Sequence, residues 1–224
     1  MTATPPELLG FRITHRAMRG DARRLAVLAT ELAAGRQSAT PARASAIAAF
    51  IATLNHGIHH HHTMEDELLW PVIERSAGAE VDLRDLSDDH AELDPLLAEI
   101  NGQAAAFAST GDASALARSL TRLADMLDEH ISEEERLIFP IITRYVSAAD
   151  WNTVEAAVRK GGNPRIDLPR IEQYARPEEM ARLRGLAGPV LVLMLSLFRR
   201  GHRRRERAVF GPSAGVPARA PRHG

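Results

Sequence analysis

Two segments, His61-His62-Thr63-Met64-Glu65-Asp66-Glu67-Leu68-Leu69-Trp70-Pro71 and His130-Ile131-Ser132-Glu133-Glu134-Glu135-Arg136-Leu137-Ile138-Phe139-Pro140, are near copies of one another. Both open on His, carry Glu four residues on and Leu three beyond that, and close on Pro. Four residues is just over one turn of α-helix, so each His and its Glu stack on one helical face. An imidazole and a carboxylate so placed can chelate one side of a metal ion. Two such helices facing each other can hold a pair of ions.

The stripes into which these segments fall predict the architecture. Ala and Leu dominate, aromatics make up 4% of the chain, and β-branched alternation is almost absent, which favours an all-α protein. A first amphipathic segment runs from about Pro6 to Leu32, with His15, Met18, Ala22, Leu25, Leu28 and Leu32 on one stripe. A second opens at Thr40-Pro41, a capping residue before Pro at the first helical position, and carries Ile47, Ile51, Leu54, Ile58, His61, Glu65 and Leu68. A third opens near Ser87-Asp88-Asp89 and continues through His90, Leu93, Leu97 and Ile100 to Phe107. Asp94-Pro95 lies inside it, and a kinked helix starting at Ser87 is preferred to a later start at Asp94. After Gly111-Asp112 a fourth carries Leu116, Leu120, Leu123, Leu127, His130, Glu134, Leu137 and Ile141. Short connections between four such stripes predict an up-down-up-down four-helix bundle. Pro71 and Pro140 are expected to end or bend their helices just past the motif.

Every stripe is interrupted by ligand-type side chains: His15, His61 with Glu65, His90, and His130 with Glu134. Six unpaired ionisable groups in a Leu-rich core would cost several kcal/mol, roughly, and a metal centre removes that cost. Imidazole and carboxylate without thiolate suit iron or manganese better than zinc.

The whole pattern resembles the hemerythrin-like family with its HHE cation-binding domain. It comprises a His near the start of helix one, His-His-x-x-Glu-Asp-x-x-Leu-Trp-Pro, Asp-His on helix three, and His-x-x-x-Glu-Glu-x-x-Ile-Phe-Pro. The resemblance implies a bundle over residues 8–147 holding two iron ions, oxo- or hydroxo-bridged, that bind O2, nitric oxide or peroxide. It implies His15, His61, Glu65, His90, His130 and Glu134 as ligands, with the two glutamates bridging. Oxygen-carrying relatives place a second His four residues after the first on helix three, where this chain has Asp94. The missing imidazole implies an open or carboxylate-richer position, which favours turnover of peroxide over oxygen carriage. His62 is a further candidate ligand, although it points about 100° round the helix from His61. His56, His59 and His60 read as peripheral, and Asp66, Glu133 and Glu135 as candidate acceptors for ligand N–H groups.

Composition bounds the rest. The 224 residues have a net charge of −1, which does not advertise nucleic-acid binding. There is no cysteine, which excludes disulfides, zinc–thiolate sites, iron–sulfur clusters and thiol catalysis. The first twenty residues include Glu7, Arg12, Arg16 and Arg19 and no apolar run, so a cytoplasmic location is expected.

Residues 148–210 read as a helical extension: a helix over Asp150–Lys160, an extended proline-punctuated connection from Asn163 to Tyr174, and a helix from Pro177. Its apolar run to Phe198 is too short to cross a bilayer. Six arginines follow in the nine positions from Arg199 to Arg207. A helix packed over the bundle with a solvated basic end is preferred to an interfacial membrane helix or a polyanion-binding tail. Residues 211–224 are expected to be disordered. The functional expectation is a di-iron protein that binds or processes a small oxygen species, most simply peroxide. The rivals are a module that binds or senses O2, nitric oxide or iron without turnover, and a metal store or structural zinc site.

Overall fold

The computed structural model describes residues 5–211; all but the first residue of the expected disordered tail lie outside them. Four long helices form the bundle: α1 (Leu9–Ala33), α2 (Pro41–Met64), which runs on as α3 (Trp70–Ala77), α4 (Arg84–Thr110) and α5 (Ser114–Tyr145). Thr40 caps α2 by accepting the Arg43 N–H, and Gly111, at φ 81°, ends α4 in the left-handed region while its N–H bonds Phe107 O. α1 packs chiefly on α5 and α2 chiefly on α4, with α4 against α5. The two helices bearing the repeated motif are therefore diagonal across the bundle. Among the described residues there is no strand, and the expected all-α bundle is what the chain forms.

The prolines act less disruptively than the sequence suggests. α4 starts at Arg84 and passes through Pro95 unbroken, because Pro95 and the carbonyl-bearing Ala91 one turn earlier both face solvent. α5 likewise passes through Pro140 to Tyr145. Before Pro71 the chain takes one wide turn of π-helix, Glu65–Leu69, in which the Trp70 N–H bonds Glu65 O five residues back.

The core is divided in two. One cluster fills the closed end of the bundle with Leu25, Ile47, Ile51, Leu97, Ile100, Phe107, Leu120 and Leu123. The other gathers Leu69, Trp70, Ile73, Leu86, Ile138, Phe139, Ile142 and Trp151 at the opposite end. The buried His and Glu residues of the motifs belong to neither cluster.

Three further helices follow: α6 (Ala148–Gly161), α7 (Pro164–Tyr174) and α8 (Pro177–Phe210). α7 corrects the expected extended connection. Asn163 caps it, Pro164 sits where no N–H is needed, and Pro169 frees the Arg165 carbonyl, which accepts from Arg205 of α8 at 3.3 Å. The extension is fastened to α1 at Asp21, which is buried and accepts from Tyr174 Oη, Arg170 Nε (2.6 Å) and Arg24. Burial and the Asp21 charge push the Tyr174 phenol above its usual range. Gly20 is needed here, since a Cβ at that position would lie 2.2 Å from the Tyr174 ring. Arg24 also pairs with Glu206 of α8, and Arg16 with Glu179 at 2.7 Å.

The α8 helix departs from expectation. Its last part packs on the bundle through Glu206, Val209 and Phe210, but Leu186, Val190, Val192, Leu193 and Leu197 are exposed.

Candidate metal centre

Side chains from all four bundle helices converge on two adjacent groups. His15 of α1, His61 of α2, Glu65 of the π turn and Glu134 of α5 form one; His62 of α2, His90 of α4 and His130 of α5 form the other. Within each group the donor atoms lie inside 4.8 Å of one another. His15 Nε2 and His61 Nε2 approach to 3.0 Å, and His90 Nε2 and His130 Nε2 to 3.2 Å. Donors at right angles on one ion, each about 2.1 Å from it, lie about 3.0 Å apart, so this spacing fits two nitrogens sharing a cation.

The glutamates stand between the groups. Glu65 is 2.9 Å from His61, 3.9 Å from His15 and, by its other oxygen, 3.6 Å from His90. Glu134 Oε2 is 3.4 Å from His15 and 3.9 Å from His130.

Three imidazoles are held from behind. His15 Nδ1 donates to Glu135 at 3.0 Å, His90 Nδ1 to Asp66 at 3.0 Å, and His130 Nδ1 to Asp89 at 3.1 Å. Ser87 Oγ also donates to Asp66. A carboxylate on Nδ1 fixes the tautomer and leaves Nε2 bare, which is the state a metal needs. Around this layer the walls are aromatic. Phe11 lies 4.5 Å from His15 between ring centres, Phe139 stacks on His15 at 6.1 Å, and Trp70 stacks on His90 at 6.1 Å.

Without a cation the site is electrostatically awkward. Burial opposes charge on Glu65, but the imidazoles of His61, His15 and His62 outweigh it and hold its carboxyl well below the usual range. Burial and the Glu65 charge push Glu134 well above it, because two adjoining buried carboxylates do not both ionise. Burial disfavours the charged form of His15, but Glu134, Glu135 and Glu65 overcome that and raise its pKa to about 10. Burial lowers His61, His62 and His130. Both oxygens of Glu65, both of Glu134 and both ring nitrogens of His62 are buried without a hydrogen-bond partner among the described residues. Cations at the two groups would partner all three side chains, so the residues present fit a two-metal centre.

The residues singled out in the sequence are placed as follows. The six named ligands come together. His62 joins them, since a step of 100° along α2 turns its side chain from the α1 side towards α4, where it stacks on His90 with ring centres 4.1 Å apart. Asp94 does not join them. It is exposed and meets His59, also exposed, at 2.9 Å, whereas His62 of α2 brings a third imidazole to His90 and His130. His56 is exposed, and His60 is half-buried against Gly161. Asp66 and Glu135 accept ligand N–H groups as expected, whereas Glu133 is exposed and pairs with Arg136. Asp89 was missed. In the sequence it marks only the start of the third helix, and its signal is its place beside His90 on a face turned to α5.

A profile of the hemerythrin HHE cation-binding domain matches residues 11–142. The chain belongs to this family. The match spans all seven converging residues and stops short of α6, so the extension lies outside it. No curated protein and no solved structure matches the chain.

Proposed function

We propose that this hemerythrin-family protein holds two iron ions and turns over a small oxygen species, with peroxide as the substrate and disproportionation to water and O2 as the reaction. The observation that carries the reading is the inequality of the two groups. One has three imidazoles and the other two, with Glu65 and Glu134 standing between them. With ions bound and Glu65 and Glu134 shared between them, the nitrogen-poorer side, at His15 and His61, would be the one open to a small molecule. When bound, the iron pair supplies the two-electron exchange that disproportionation needs.

This chain's residues supply the rest. Glu65 and Glu134 hold the two positions at a fixed separation. Phe11, Phe139, Trp70 and the apolar cluster behind them exclude water from the reacting volume. Glu135, buried on His15 and partly solvent-facing, is placed to pass a proton between the site and water. A cytoplasmic setting is part of the proposal.

Iron and zinc content and oxygen release on adding peroxide to the purified, iron-loaded protein test the reading. About two irons per chain and evolved oxygen are expected. Reproducible recovery of one zinc without iron would overturn the di-iron assignment.

One observation favours a second reading, a module that senses O2 or nitric oxide. Arg16 follows His15 directly and is fixed to Glu179 and the Tyr174 carbonyl of the extension, so a shift at the metal would reach α8. Reversible O2 binding without oxygen release from peroxide selects it.

A further inference from the structure

Helix α8 carries a surface that the bundle does not use. At Gly188 the backbone turns non-helical (φ 63°, ψ −158°), and Pro189 restarts the helix. Beyond that break, Val190, Leu193, Leu197, Arg200, Arg204 and Arg207 follow at alternating steps of three and four and so share one face. Its first half is apolar and open to solvent, with Val190 62%, Leu193 60% and Leu197 65% exposed, and Leu186 (65%) and Val192 (47%) flank it. Its second half is cationic. Arg200, Arg203, Arg204 and Arg207 are exposed and have no ion pair among the described residues, whereas Arg199 is engaged by Glu172. An apolar patch of five large side chains on a soluble surface marks an interaction site.

Charge decides between the possible occupants. A second copy laid parallel on this face would set Arg200, Arg204 and Arg207 against themselves, and an antiparallel copy would lay them over leucines. The chain's last residues carry Arg219 and Arg222 and no acidic group, so they add to the positive charge. An anionic bilayer surface matches both halves, with hydrocarbon taking the leucines and lipid phosphates the arginines.

We propose that α8 docks this protein onto anionic membrane surfaces, inserting the Leu186–Leu197 patch at the acyl boundary with the arginines among the headgroups. By length and composition α8 is able to cross a bilayer. From the break at Gly188, however, its apolar stretch, Pro189–Phe198, covers only about 15 Å of a core about 30 Å thick. The arginine half is also tied to α7 and α2, by Arg199 to Glu172, His202 to Gln173, and the Val209 carbonyl to Arg43. The helix therefore lies on the membrane.

The test is flotation of the full-length, metal-loaded protein with vesicles. Binding is expected to vesicles mixing phosphatidylglycerol with phosphatidylcholine, to be absent with phosphatidylcholine alone, to weaken with salt, and to resist competition by soluble glycerophosphoglycerol or inorganic phosphate. Leu193→Glu with Leu197→Glu should reduce partitioning at least about tenfold, as should Arg200→Ala with Arg203→Ala and Arg204→Ala, each with iron content unchanged. No flotation with the anionic vesicles overturns the proposal. So does a dimer in sedimentation velocity that the Leu193→Glu, Leu197→Glu variant dissociates, or retention in alkaline carbonate, which would mean a spanning helix.

Discussion

The two copies of the repeated motif contrast within one site. The first, from His61 to Pro71, contributes to both metal groups: His61 and Glu65 to one, His62 to the other. The second, from His130 to Pro140, contributes one imidazole and one carboxylate from an unbroken helix. The position of His62 is taken in the second copy by Ile131, fully buried in the apolar cluster. The wide turn at Glu65–Leu69 belongs to the first copy alone. Both copies thus reach both groups, and His62 decides whether a helix gives an imidazole to one of them or to each. Placing the fifth imidazole on α2 leaves the later position on α4, Asp94, to the surface.

The largest expected effect removes what both copies hold. Stripping the metal should expose the cost of the six unpartnered atoms of Glu65, Glu134 and His62. At about 1–3 kcal/mol for each buried unsatisfied group, the melting temperature should fall on the order of 10 °C or more. Calorimetry of chelated against loaded protein checks this, and equal melting would mean that the groups are partnered some other way. Next, His62→Ala should lower bound iron from about two per chain towards one, while Asp94→Ala leaves it at two. Equal iron in both variants would break the asymmetry drawn between the copies.

A smaller effect is expected at the acceptors behind the imidazoles. Asp89→Asn and Glu135→Gln should each weaken metal retention about 10- to 100-fold against a competing chelator, with the fold intact by circular dichroism. The smallest lies outside the site. The Arg16 guanidinium beside Glu179 holds its carboxyl down to about 2, against an ordinary value near 4.5. A depressed carboxylate stabilises the fold fully above its ordinary value and loses that contribution as pH falls towards about 2. Glu179→Gln should therefore cost less than about 1 kcal/mol at neutral pH, since the pair meets solvent, and nothing near pH 2. Urea titrations at the two pH values measure it.

The fold was legible because four Leu-rich stripes at helical spacing leave few alternatives, and the ligand set because polar residues interrupt each stripe at one level. What escaped was three-dimensional. A step of 100° leaves His62 only a further candidate in the sequence, but in a bundle it merely turns a side chain from one neighbour to the next. Asp89 marks a helix start in the sequence, and only the fold sets His130 of α5 opposite it. Asn163–Tyr174, with two prolines, read as extended because the partner for Arg165 O, Arg205, lies forty residues away in sequence. The apolar run of α8 suggested burial, and composition carries no record of which face of a helix meets the bundle.

The packing of α1 on α5 also sets a schedule for biosynthesis. His15 is held by Glu135, 120 residues later in the chain. At ribosomal rates of about 5–20 residues per second, roughly ten seconds pass between their syntheses. Throughout that interval His15 and the apolar face of α1 have no α5 to rest on. A cation that needs donors from α5 as well as α1 can therefore be captured only late in the life of the nascent chain, after Glu134 has emerged.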